Sequence, residues 1–214
     1  MADGTSTVEV GRFPQGKYVD ALRWLPPVAA FDRLVATALY DADSGTSSVQ
    51  VHTLTPADAH FHYPPRLELQ TTWTSPARIS KLKVASSSQK AIIAAASSGC
   101  LCFLVADPLQ VSLEAEGCLG LGTSSSYISG MDLQASSSDC ECICVGEDGK
   151  INLVKLAEGQ MHHTCVTDNR GLISYTAARW ASPTEFVTAG LGFTLQWWDH
   201  RKPGAPVSQS PNKW

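Results

Sequence analysis

Ile143-Cys144-Val145-Gly146-Glu147-Asp148-Gly149-Lys150-Ile151-Asn152-Leu153-Val154 is a pattern that the chain states twice. It returns as Val187-Thr188-Ala189-Gly190-Leu191-Gly192-Phe193-Thr194-Leu195-Gln196-Trp197-Trp198, followed by Asp199-His200-Arg201. With Gly146 laid on Gly190, a shift of 44 residues, Ile151 falls on Leu195, Leu153 on Trp197 and Val154 on Trp198 without a gap. Each copy reads as a hairpin: an apolar run, a tight turn, then an alternating strand that hides every second side chain. A unit of ~40–45 residues that closes on Trp-Asp is the mark of a WD-type β-propeller blade. The predicted fold is all-β, a WD40-type β-propeller.

The same punctuation runs through the rest of the chain. Leu34 to Leu39 and Ala91 to Ala96 are apolar runs flanked by turn-forming Ser, Gly and Asp,. An N-terminal segment is expected over 1–16, blades over 17–55, 66–106, 113–157 and 166–204, and a loop towards a further blade over 205–214. Gly99, Gly149 and Phe193 are expected to share one slot, and Thr7-Val8-Glu9-Val10 is a candidate strand for latching a ring shut. Four blades fall short of the about seven usual for rings of this type. The expectation is therefore an incomplete ring from a truncated or shortened form, with one strand edge and one apolar blade face open.

The composition narrows the function classes. Of 214 residues 43% are hydrophobic and only 17% charged, with 16 Gly and 12 Pro, which favours short strands and turns over long amphipathic helices. The formal charge is −4 and no Lys/Arg-rich block occurs, so the footprint of direct nucleic-acid binding is missing,. Met1-Ala2-Asp3-Gly4 does not read as a secretory signal, and the apolar runs are too short for membrane insertion,. Seven cysteines without framework spacing are expected to be free thiols in a reducing compartment,.

Three stretches carry a family resemblance: Ala94-Ala95-Ala96-Ser97-Ser98-Gly99-Cys100, Val145-Gly146-Glu147-Asp148-Gly149-Lys150-Ile151-Asn152-Leu153, and Leu195-Gln196-Trp197-Trp198-Asp199-His200-Arg201. With them the whole chain resembles the first four blades of a WD-repeat nucleoporin, the small propeller subunit of the Y-shaped scaffold complex in the outer rings of the nuclear pore. The resemblance implies a non-enzymatic scaffold of the nuclear envelope that supports nucleocytoplasmic transport of mRNA and protein. Its partners would be other scaffold nucleoporins of the Y-shaped complex, docked through loops and rim, with no small-molecule substrate.

The candidate chemistry is thin. Asp148 and Gly149 are expected to shape a hairpin turn; Trp198 should cover the seam between blades and Asp199 should cap its strand. Cys140, Cys142 and Cys144 share one face of a strand, which suits a buried row of small apolar side chains better than the four tetrahedral ligands of a structural zinc. His162, His163 and Cys165 are placed in an interblade loop, and no metal or cofactor site is expected. Ser137, His163 and Asp168 make a triad only on paper, because no Gly-x-Ser-x-Gly elbow supports it. Small apolar residues on the inner strands, Ala85 and Ala178 among them, argue against a propeller hydrolase. The segment 112–127, with Leu119 and Leu121 between glycines, is a candidate contact loop. Trp198-Asp199-His200-Arg201 also fits the Trp-Asp-x-Arg box of cullin-4 ubiquitin ligase substrate receptors, in which Arg201 would meet the adaptor.

Overall fold

The computed structural model describes residues 11–27, 33–56, 64–87, 90–107, 109–121, 127–136 and 139–210. Four antiparallel sheets of four strands follow one another along the chain, each with its strands in chain order. The first holds β1 (Tyr18–Trp24), β2 (Leu34–Asp41), β3 (Thr46–Thr55) and β4 (Arg66–Ser75). The second holds β5 (Ile79–Ser87), β6 (Lys90–Ser97), β7 (Cys100–Asp107) and β8 (Ser112–Gly120). The third holds β9 (Ile128–Ala135), β10 (Asp139–Gly146), β11 (Lys150–Ala157) and β12 (Gln160–Asp168). The fourth holds β13 (Tyr175–Trp180), β14 (Glu185–Gly190), β15 (Phe193–Asp199) and β16 (Ser208–Gln209). The first strands β1, β5, β9 and β13 lie against one another in turn, so the sheets fan around a common axis as blades of a WD40-type propeller.

The outermost strands fall differently from the sequence expectation. Residues 66–75 complete the first blade instead of opening the second, which starts at Ile79. The expected contact loop at 112–127 is mostly β8, and the expected interblade loop with His162, His163 and Cys165 is β12. Ser208 and Gln209, taken as part of a departing loop, pair with Trp197 and Gln196. The reason is physical: an outer strand is covered on one side only and keeps its polar, irregular pattern, as in the exposed and half-buried side chains of β4 and the mostly exposed ones of β12. Thr7 to Val10 lie outside the described residues.

The middle strands are buried on both faces, because each blade is sandwiched between neighbours. That is why β6 reads Ala-Ile-Ile-Ala-Ala-Ala without alternation,. Its faces divide between two cores: Ala91, Ile93 and Ala95 pack with Val49, Val51 and Leu82, while Ile92, Ala94 and Ala96 pack with Phe103, Cys142 and Val154. A third core joins Ile143, Val145 and Ile151 to Tyr175, Phe186 and Trp198. The seams are tight. A Cβ added at Gly130 on β9 would meet the Ala177 Cα of the next blade at 2.7 Å.

The 44-residue repeat holds in the register: Cys144 opposes Asn152 as Thr188 opposes Gln196, and Cys142 opposes Val154 as Phe186 opposes Trp198. It slips only at the turn. A bulge between Thr188 and Gly190 leaves a two-residue connection, so the left-handed glycine of the fourth blade is Gly192 (φ 90°), not the residue in the slot expected for Phe193. Gly99 (φ 68°) and Gly149 (φ 80°) hold that conformation in the second and third blades,.

One tie from third strand to outer strand recurs in three blades. Asn152 Oδ1 accepts from His163 Nε2 at 2.9 Å, and Gln196 Nε2 donates to Gln209 Oε1 at 3.1 Å. In the second blade the corresponding tie is covalent: Cys102 and Cys118, directly opposed on β7 and β8, form a disulfide. The expectation of seven free thiols is thereby corrected; Cys100, Cys140, Cys142, Cys144 and Cys165 are free. The pairing follows from register, which sequence spacing does not reveal. Closing a loop of 16 residues should be worth about 3 kcal/mol by chain entropy,. Cys118→Ser is expected to lower unfolding stability by roughly 2–3 kcal/mol in urea titrations without reductant. With dithiothreitol present, wild type and variant should coincide.

Candidate functional site

The face on which second and third strands turn into each other also carries the links between blades. The Asp148-Gly149 turn anchors the link from β12 to β13. Asp148 Oδ1 accepts from Lys150 N at 3.2 Å, and its carbonyl accepts from Gly171 N at 2.9 Å. The Gly149 carbonyl accepts from Asn169 N at 3.0 Å, and a Cβ at Gly149 would meet the Ile173 carbonyl oxygen at 2.8 Å. Asn169 Nδ2 in turn donates to the buried Tyr175 hydroxyl at 2.8 Å. Leu191 N donates to the Ser174 carbonyl at 2.9 Å. On this clamped face Tyr127, Leu172 and Leu191 stand out to solvent, 62%, 88% and 72% exposed.

Trp198 lies in the third core, 2% exposed and stacked 6.0 Å from Phe186, while its indole N–H donates to Thr188 Oγ1 at 2.9 Å. In the third blade the matching pair is Cys144 and Val154, so the hydroxyl–indole bond has no counterpart there. Asp199 is buried at the strand end and accepts from Arg201 Nε at 2.9 Å, Arg201 Nη2 at 2.8 Å and Arg201 N at 3.1 Å. The Arg201 guanidinium holds the carboxyl down at about 2,. Arg201, the residue of the adaptor reading, is thus engaged within its own turn. Sequence reasoning missed that Asp41 and Asp107 end strands in the same way, each accepting a backbone N–H two residues on, from Asp43 and from Leu109, at 3.0 Å,.

The remaining candidates do not converge. Cys140, Cys142 and Cys144 lie in a buried row between the second and third blades. Burial pushes the Cys140 thiol up to about 12, and contact with the Cys144 thiol raises the Cys142 thiol as well. Such thiols stay protonated, without the thiolate that ligation or redox attack requires. Among the described residues no three His, Cys, Asp or Glu side chains are grouped to hold a metal. His163 meets Asn152, and Ser137 lies outside the described residues. Leu121 is buried in the second core and Leu119 packs against it, so neither is an exposed contact. A cavity of about 120 Å³ between the first two blades is lined by Leu25, Leu34, Val51 and Asp107.

The axis follows expectation in part: Ala178 lines it with Ala21, Gly130 and Ala177, but charged side chains line it as well. Ala178 is buried and Ala85 half-buried, and the opening between inner strands is lined by Asp20, Arg23, Lys81, Lys83 and Arg179. A bulge recurs in every inner strand, at Asp20, Ser80, Ser129 and Thr176. Three of these are hydroxyls that donate to second-strand carbonyls: Ser80 to Ala96 at 3.3 Å, Ser129 to Val145 at 3.1 Å, and Thr176 to Ala189 at 3.3 Å. The sequence signal was there, a Ser or Thr near three of the four inner-strand starts, but it becomes a motif only once the bulges align it.

No family model matches the chain. It is 42% identical over 216 residues, 96% of its own length, to a protein described as Nuclear pore complex protein NUP43 from Arabidopsis thaliana. The chain spans 59% of the length of that relative. The likeness to that nuclear pore complex protein therefore covers nearly the whole of the four-blade chain.

The Asp199–Arg201 fork has a pH signature. A carboxyl held at about 2 in the folded chain and near 3.9 when unfolded contributes stability that is complete above about pH 4 and lost as pH falls towards 2,. In carboxyl-carbon NMR titrations Asp199 of the wild type is expected to inflect near 2. In Arg201→Ala it should inflect closer to an ordinary aspartate.

Proposed function

We propose that the chain is a non-enzymatic scaffold of the nuclear pore, docking onto other nucleoporins of the Y-shaped outer-ring complex and so supporting nucleocytoplasmic transport. The observation that carries this reading is the 42% identity, over 96% of the chain, to a nuclear pore complex protein. The buried, protonated cysteines and the turn-bound Arg201 agree with it, since the sequence motifs that suggested chemistry or an adaptor contact are consumed by the fold. No helix of the described residues is long and apolar enough to cross a membrane.

Docking in this reading uses the clamped face. Protein interfaces need apolar anchors at the centre of a polar rim, presented on rigid supports. Tyr127, Leu172 and Leu191 are such anchors: large and exposed, the two leucines held by the backbone bonds among the Asp148-Gly149 turn, Asn169, Gly171 and Ser174, and Tyr127 by its bridge to Ser98.

Affinity purification of the tagged chain from cells is the test. It is expected to bring down Y-complex nucleoporins, and a fluorescent fusion should mark the nuclear rim. Changing Tyr127, Leu172 and Leu191 together to serine should reduce capture at least about tenfold, with an unchanged circular dichroism spectrum. Capture undiminished by the triple change would move docking to another surface. A diffuse fusion that captures no nucleoporin would refute the scaffold reading.

A further inference from the structure

We propose that the axial opening binds an acidic peptide segment, a function separate from docking on the clamped face and independent of the pore reading. Counted from the aligned bulges, the third residue onward in each inner strand occupies one tier: Arg23, Lys83, Asp132 and Arg179. Lys81 lies one residue past its bulge and lines the same opening, a cavity of about 300 Å³. Four cations thus stand with two carboxylates, Asp132 of the tier and Asp20 at the opening, in a chain whose formal charge is −4. The other acid at the opening, Asp20, is taken by Arg78 of the second blade through two bonds of 2.6 and 2.8 Å. Positive charge concentrated against the sign of the whole chain marks a place where an anion is favoured.

The axis already shows which anion it accepts. Asp132 is gripped by Lys83 Nζ at 3.0 Å, Arg179 Nη1 at 3.1 Å and the Trp180 backbone N–H at 3.0 Å. The equivalent place on the first blade presents Arg23, whose guanidinium donates to the neighbouring Leu22 carbonyl at 2.6 Å. Among the described residues neither Arg23 nor Lys81 forms an ion pair with a carboxylate. Arg23 and Lys81 belong to adjacent blades, and Arg179 lies two blades further round. Cations spread this way suit successive carboxylates of an extended chain, whereas one phosphate is best held by donors converging on a point.

The probe is a fluorescein-labelled octa-glutamate peptide, followed by anisotropy at about 50 mM salt, where charge pairing is weakly screened. Saturable binding is expected, weakened at least about tenfold by the double change Arg23→Ala and Lys81→Ala and abolished near 0.5 M salt. Both side chains are at least partly exposed, so the variant should keep the wild-type melting temperature. Octa-glutamine should not bind, and changing the exposed Arg12 and Lys202 to alanine should have no effect. No binding of octa-glutamate, or equal loss in the Arg12/Lys202 variant, would overturn the proposal. So would inorganic tripolyphosphate binding through Arg23 and Lys81 while octa-glutamate does not.

Discussion

The seam between blades is the interaction on which this molecule depends. No blade has a core of its own: β6 and β10 are buried on both faces, and each face is closed by a different neighbour. Apolar area removed from water at about 25 cal/mol per Å² supplies the driving force only once two blades meet. This accounts for residue sizes that look odd in isolation. Small side chains in Ala91 to Ala96, the cysteine row of β10 and the bare Gly130 let neighbouring sheets approach closely. At the outer faces of the first and fourth blades the same chemistry is left open: Leu22 and Trp24 on one, Leu195 and Trp197 on the other, are 39% to 58% exposed.

Polar groups decide how the seams are oriented. Asp132 binds the second and fourth blades at once, through Lys83, Arg179 and the Trp180 amide, and Arg78 joins Asp20 across the first seam while covering the Tyr40 ring at 4.3 Å. A partly buried carboxylate gains little net stability from its partners, because its desolvation offsets their attraction. Its value lies in direction: an apolar seam tolerates sliding, and a fork of three donors does not. The repeated inner-strand bulge works with this fork, since it aims one polar side chain per blade at the axis.

Two presented surfaces stand out on this architecture. The turns and links of one face are tied together by backbone bonds, so its exposed apolar side chains are held on a rigid support. The axis offers a different chemistry, a positive tier framed by four strands. The cysteine row of β10 is withdrawn from both, buried between blades, and the Trp-Asp motif is spent on stacking and capping.

By itself the sequence determined the class of structure and the positions of its centre. The doubled pattern from Ile143 to Trp198 specified hairpins and a 44-residue period, and the register reproduces that period everywhere except at the Gly190 turn. Periodicity is legible there because the middle strands feel the strongest and most uniform burial. The outer strands were not legible: β8 and β12 are covered on one side, and their mixed residues read as loops. The tier of Arg23, Lys83, Asp132 and Arg179 and the Cys102–Cys118 pair were also hidden. Each joins residues that a bulge or a strand pairing brings together, 16 residues apart in the disulfide and on four separate blades in the tier. Local sequence encodes which side chains hide. Only the packed assembly decides which of them meet, because that depends on register and on neighbours that no single strand contains.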